Sequence, residues 1–372
     1  MSPMAGNKFP KGFLWGSATS AYQVEGGNSN SDWEALFSPK AGAACDHYRR
    51  FEEDFDLAQS LNQNAHRFSI EWARIEPEKG RFNEREVGHY RQVLMALKKR
   101  GITPLVTLHH FTNPLWVFKR GGWENPATAS YFASYVRYLV TKLADLCDFW
   151  ITINEPTVAA AEGYLWGHWL PGKHDPLSAA VVLKHLLRAH QLAYLIIHGI
   201  QPNARVGLAH ALTPLKLPGT NRIFLHLDRR SVNWAGKQDF IGVNYYRPFG
   251  GVINLPKSDL GWAIFPQGLY DILLDLRGLG LPVFVTENGI ADADDDQRAD
   301  FIADHLSAIW RALREGADVR GYFHWSLLDN FEWAKGFEPR FGLVEMNYET
   351  MERQVRPSAW VYARIAKRNG LN

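Results

Sequence analysis

Apolar residues along the chain fall into two alternating patterns. Short runs rich in β-branched and aromatic residues, which predict strands, occupy 13–21, 65–72, 103–110, 149–155, 204–212, 239–246, 282–288 and 319–327. Longer stretches of helical period lie between them. From Thr128 to Cys147 the residues Phe132, Val136, Leu139, Leu143 and Leu146 recur at spacings of four and three, which places them on one helix face. Phe51, Phe55, Ala58 and Leu61 repeat the pattern, and helices are also expected over 178–200, 297–315 and 357–368. Asp294, Asp295 and Asp296 precede the second of these and suit the positive end of its dipole.

Strand and helix in alternation imply a parallel sheet, because a parallel partner needs a crossover. Eight such units favour an α/β fold closed into a single-domain (β/α)8 TIM barrel over residues 1–372. An open dinucleotide-binding sheet is disfavoured, since no G-x-G-x-x-G turn follows the first strand. No Pro-, Gly- or Ser-rich linker divides the chain. The connection at about 213–238 is short for a crossover helix with its loops. Trimming there and at 27–45 predicts a wide, shallow mouth, with exposed apolar surface that would favour self-association into a homo-oligomer or bind an extra ligand.

Composition narrows the partners. The chain is 46% hydrophobic and 13% aromatic, and carries a formal net charge of only +2 with both signs interspersed. It has no concentrated basic patch for nucleic acid. The amino terminus lacks a secretory pattern, and no run reads as a membrane span, so a cytoplasmic protein is expected. The two cysteines, Cys45 and Cys147, are far apart and are expected to be reduced. No His/Cys ligand spacing is present, so neither metal nor organic cofactor is implied.

Two predicted strands end on a glutamate: "TINEP" delivers Glu155 and "VTENG" delivers Glu287. In an eight-stranded barrel the carboxyl ends of the strands converge on one face, where polar residues are free for chemistry. Two carboxyl groups flanking a site are what glycosidic cleavage needs, one to protonate the departing oxygen and the other to attack the anomeric carbon or activate water. Taken singly, each glutamate reads first as a helix cap or a solvated charge, and only the two together in this order point to chemistry.

The segments "FLWGSATSAYQVEGG", "HRFSIEWARIEP", "TLHHFTNPLW", "TINEP", "DFIGVNYY", "VTENGI" and "HWSLLDNFEWAKGFEPRFGLV", in this order over nearly the whole chain, resemble family 1 glycoside hydrolases, the retaining β-glucosidases and β-galactosidases. The resemblance implies Glu155 as general acid/base and Glu287 as nucleophile. It also implies that Asn154 holds the sugar 2-hydroxyl, and that Gln23, His110, Trp325, Glu332 and Trp333 line the pocket for the non-reducing sugar. Arg67 and Tyr246 would support the nucleophile. A carboxylate at Glu332 would repel a 6-phosphate, so unphosphorylated β-glycosides or short oligosaccharides are the implied substrates. A transglycosylase of the same family and a non-catalytic sugar-binding relative are the alternatives. His109 should point away from the site, Glu71 and Glu76 are expected to be structural charges, and Trp116, Trp166, Trp169 and Trp262 are assigned to packing ahead of binding.

Overall fold

The computed structural model describes residues 7–214, 230–248 and 255–371. Eight parallel strands, β1 (Leu14–Ala18), β2 (Ala65–Ser69), β3 (Thr103–Thr107), β4 (Phe149–Asn154), β5 (Arg205–Ala211), β6 (Phe240–Asn244), β7 (Val283–Asn288) and β8 (Val319–Trp325), pair in sequence order. Pairing of β8 back onto β1, from Leu14 opposite Gly321 to Ala18 opposite Trp325, closes the barrel. Each strand falls within the run predicted for it.

Aromatic bulk fills the barrel interior. Phe149, Phe240 and Phe284 meet at ring-centroid distances of 5.2–6.2 Å, and Phe323 joins the same cluster. Room for these rings comes from inward-facing glycines: a Cβ at Gly16 would lie 2.7 Å from the Phe323 ring, and one at Gly207 2.6 Å from the Phe240 ring. The core below the strand ends is therefore solid rather than a pore.

The outer layer contains the long helices α1 (His47–Ser60), α2 (Glu84–Lys99), α3 (Thr128–Leu143), α4 (Pro176–Ile200), α5 (Pro266–Leu276), α6 (Arg298–Arg314) and α7 (Pro357–Arg368). Five match the predicted helical stretches. The sequence reading passed over α2 and α5, although Val87, Tyr90, Val93, Leu94 and Leu97 form a buried helical stripe after the Asn83 N-cap. An antiparallel hairpin, β9 (Val344–Asn347) with β10 (Glu352–Val355), was also not anticipated. The segment expected to lack a crossover helix lies largely outside the described residues.

Two expectations need correction. Asp292, not the three aspartates after it, caps α6: its Oδ2 accepts from the backbone N–H groups of Gln297 and Arg298 at 3.1 and 2.8 Å. Asp295 instead faces α7, accepting from the Ser358 N–H at 2.9 Å and its hydroxyl at 2.6 Å. The other correction concerns α4, which is long and apolar enough to cross a bilayer by length and composition. Here it is a wall helix, with Val182, Leu186, Ala189, Ala193 and Ile197 buried in the core shared with α3. Leu177, Val181 and Leu195 remain exposed on its outer side.

A buried ion pair ties the hairpin to the loop after β8. Arg356 donates to both carboxylate oxygens of Asp329 at 3.0 and 3.1 Å, and the Gly342 N–H adds a third bond at 2.7 Å. Truncating one partner would leave a buried charge in deficit. Arg356→Met is expected to cost about 3–5 kcal/mol in urea unfolding, and the Asp329→Asn/Arg356→Met double variant less than the sum of the single losses.

Candidate active site

The carboxyl ends of the strands surround a cavity of about 1580 Å³. Ligand sites of drug-sized molecules are commonly about 300–1,000 Å³, so one sugar ring would occupy only part of it. Its lining includes Glu155, Glu287, His110, Tyr246, Trp325, Glu332 and Trp333. Gln23, Asn154 and Arg67 stand directly behind these residues and reach them through hydrogen bonds. All ten residues singled out from the sequence thus belong to one constellation.

Glu155 follows β4 immediately, in the left-handed region at φ 45°, where it starts the short helix Pro156–Ala160. Phe111 and Trp333, also on the cavity wall, share that positive φ, at 71° and 52°. Such backbone is unfavourable for bulky residues and is held only where the surroundings dictate it. Gly289, just past β7, permits another close approach: a Cβ there would sit 1.8 Å from the Trp325 carbonyl oxygen. No other residue type fits the turn that carries the chain away from Glu287.

The two glutamates occupy different electrostatic settings. Glu287 Oε1 pairs with the Arg67 guanidinium, and its Oε2 accepts from the Tyr246 hydroxyl at 2.6 Å. Burial and the Glu287 charge push the Tyr246 hydroxyl far above its ordinary range, so it stays protonated and donates to Glu287. Glu155 accepts from Asn244 Nδ2 at 2.7 Å. Burial, then the negative charge of Glu287, raises Glu155 to about 8. The exposed fractions are 8% for Glu155 and 4% for Glu287. The two carboxyl groups are thus deeply set, while the connection on which the expectation of a wide, shallow mouth rested lies largely outside the described residues.

Arg67 organises the floor. With its side chain fully buried on β2, it donates to Asn154 Oδ1 at 2.6 Å and to Thr107 and the Thr286 carbonyl, both at 3.2 Å, besides Glu287. Asn154 in turn faces His110 at 3.3 Å and accepts from Asn244 at 3.1 Å. Asn244 is fixed by the Thr286 hydroxyl at 2.7 Å. It therefore ties Glu155 and Asn154 at the end of β4 to Thr286, the neighbour of Glu287 on β7, a role the sequence reading did not assign. Its spacing of two from Tyr246, on the same strand face, was the available signal.

One wall combines parallel rings with a buried carboxyl group. His110 lies parallel to both Trp325 and Trp333, each at 6.0 Å. Glu332 is buried and raised to about 8 by burial and by the charge of Glu287. Gln23 approaches Glu332 at 3.5 Å while its amide donates to Asn330 and the Phe331 carbonyl at 2.9 and 2.7 Å.

Trp166, Trp169 and Trp262, assigned to packing from sequence, all line the cavity. Trp116 does pack, with its indole N–H on the Glu76 carbonyl and its ring against Trp72. His109 points away and bonds Asn113, as expected. Glu71 accepts from Thr112 and the Ala73 N–H, and Glu76 from Trp72 and the Gly80 N–H, which gives both structural partners.

Comparison with known proteins agrees with this architecture. The glycosyl hydrolase family 1 model matches residues 5–237 and 251–371. β-Glucosidase A of Thermotoga maritima is 34% identical over 443 aligned positions, covering 98% of this chain and 99% of the relative. A β-galactosidase of Pyrococcus woesei is 32% identical, with 98% of each chain covered. The structure of a Thermotoga maritima β-glucosidase in complex with glucoimidazole superposes with a TM-score of 0.93 at 33% identity, covering 98% of this chain and 100% of that one. The alignments exceed the 372 residues present here, so this barrel spans its relatives with shorter connections. By sequence, fold and the arrangement of its strand ends, the chain belongs to glycosyl hydrolase family 1.

Proposed function

We propose that this enzyme, a hydrolase of O-glycosyl bonds, removes terminal non-reducing β-D-glucosyl residues by double displacement. Glu287 is assigned as nucleophile and Glu155 as acid, then base. The observation that carries the assignment is the opposite treatment of the two carboxyl groups: Glu287 is bonded to a guanidinium and a phenol, while Glu155 is raised to about 8. The first arrangement favours a carboxylate that can attack, and the second a carboxylic acid that can give up a proton near neutrality.

The same coupling supplies the switch between the two steps. Attack of Glu287 Oε on the anomeric carbon turns its carboxylate into a neutral ester as the glycosidic C–O bond breaks, and the Glu155 proton goes to the leaving oxygen. With the charge on Glu287 gone, one cause of the raised Glu155 value disappears, so Glu155 can take a proton from the incoming water. Asn154 and Asn244, held by Arg67 and Thr286, are placed to present amide groups to the sugar 2-hydroxyl and to Glu155. Glu332 and Gln23 are assigned to the outer hydroxyls, and the Trp325 ring to the sugar face. Among the relatives, those named β-glucosidase and β-galactosidase both occur, which supports glucosides as the main substrates with galactosides as secondary ones.

Glu287→Ala is expected to abolish hydrolysis of nitrophenyl β-glucoside. Added azide should restore turnover and yield the α-glucosyl azide, whose anomeric coupling is read by proton NMR; hydrolysis without azide would remove Glu287 from the role. Glu155→Gln is expected to slow substrates with poor leaving groups by about 10²–10⁴-fold while sparing the first step for dinitrophenyl glucosides. An equal loss across leaving groups would contradict proton donation.

The pH dependence has a definite sign. For substrates with poor leaving groups, kcat/KM should fall on an alkaline limb near pH 8, the value to which Glu155 is raised. A carboxyl group raised from 4.5 to about 8 in the folded state contributes stability fully below pH 4.5 and loses it as pH rises through 8. Glu155→Gln should therefore raise Tm relative to the parent at pH 8, and much less at pH 5, in scanning calorimetry.

A further inference from the structure

The loop that carries the chain from β7 to α6 holds a group of carboxylates that the glycosidase chemistry does not use. Asp292, Asp294 and Asp296 each offer an oxygen, and these oxygens lie within 4.8 Å of one another. A left-handed residue, Asp295 at φ 63°, folds the loop so that alternate side chains converge. The independent observation is at Asp292. This residue has no exposed surface; its Oδ2 is engaged by the two N–H groups at the start of α6, while Oδ1 is buried with no donor among the described residues, and burial together with the Asp294 carboxyl in contact with it pushes Asp292 up.

One cation lies near this charge, and it favours the ionised form of Asp292, but its hydrogen bonds go elsewhere. Arg298, the nearby guanidinium, is bonded to the Asp295 carboxylate and to the carbonyls of Asp292 and Arg340. Asp295 is further occupied by Ser358. Among the described residues, no basic side chain forms an ion pair with Asp294 or Asp296. Three carboxylates at this spacing repel one another unless a positive charge enters, and burying one of them with an open oxygen compounds the cost.

We propose that Asp292, Asp294 and Asp296 form a binding site for a hard divalent cation, Ca²⁺ in particular. The donors are all oxygen, with neither imidazole nor thiolate, which disfavours Zn²⁺ or Cu²⁺. Ca–O distances of about 2.3–2.6 Å allow two oxygens on one ion to be separated by up to about 4.6–5.2 Å, which accommodates the observed spread. The D-x-D-x-D spacing matches the first three ligands of an EF-hand loop, but Gln297 replaces the following glycine and Ala303 stands where the distal bidentate glutamate would be. Water would complete the shell at the two exposed aspartates, and affinity should fall at the weak end, with Kd of about 10⁻⁴–10⁻³ M.

The ion would be structural. It would fasten the segment just past Glu287, which already reaches Asp259 through the Ala293 N–H at 2.8 Å and Arg340 through the Asp292 N–H at 3.0 Å. No group that reacts with sugar belongs to the cluster, so the proposal stands or falls independently of the glycosidase assignment.

The test is thermal unfolding and titration calorimetry of chelator-treated full-length protein with CaCl₂, at ionic strength held constant with NaCl. Binding of about one equivalent and a Tm rise of about 2–5 °C at 10 mM Ca²⁺ are expected. Asp294→Asn/Asp296→Asn should lose the shift and, without Ca²⁺, melt at or above the temperature of the metal-free parent, because repulsion is relieved. A shift retained in the double variant overturns the site, as does an equal shift from NaCl alone or the absence of both binding heat and Tm change. Turnover of nitrophenyl β-glucoside by the variant serves as the check that it is folded.

Discussion

The buried guanidinium of Arg67 is the interaction on which the rest of the site depends. It rises from β2 above the phenylalanine core and bonds groups on β3, β4 and β7 at once: Thr107, Asn154, the Thr286 carbonyl and Glu287. A cation without exposed surface is tolerated only when its donors are engaged, and here the engagement fixes the relative height of three strand ends. The same contact sets a guanidinium against Glu287, whose charge, after burial, contributes to the raised Glu155 and Glu332 values. Local packing, sheet register and the proton inventory of the site are thus one problem with one solution.

That dependence makes the cavity polar at its base and apolar above. Aromatic residues from several loops, including Trp166, Trp169, Trp262 and Trp333, surround a floor of amides and carboxyl groups. Low polarity above strengthens the electrostatics below, because desolvation separates the behaviour of carboxyl groups that would otherwise titrate alike. The left-handed backbone at Phe111, Glu155 and Trp333 belongs to the same economy, since strained turns place these side chains where regular strands could not.

Much of the fold was legible because the barrel strands are buried on both faces and read as apolar runs, several of them, such as β4, β6 and β7, ending in a polar residue. Glu155 and Glu287 stood out for that reason. Asn244 was harder: nothing at "GVNYY" says that an amide will touch both Asn154 and Glu155, because that depends on how β6 is staggered against its neighbours. That Trp166, Trp169 and Trp262 line the cavity, with Trp169 and Trp262 also packed against other rings, was not legible, because the path of a loop decides what a tryptophan on it faces and periodicity does not encode that path. Asp292 shows the limit at finer scale. Composition marked an acidic N-terminus for α6, but only geometry picked out which carboxylate meets the N–H groups.

The phenylalanine plug beneath Arg67 has a kinetic consequence. With Phe149, Phe240, Phe284 and Phe323 filling the barrel, the cavity is a blind well rather than a tunnel. A glycoside must descend with its non-reducing ring first, and whatever is attached to the anomeric carbon occupies the shaft above it. On the proposed mechanism, the ring held on Glu287 cannot depart until that attached group has cleared the shaft and water has come down the same way. Product release is thereby ordered by topology, with the leaving group first and the sugar last, and free sugar returning to the well competes directly with the next substrate.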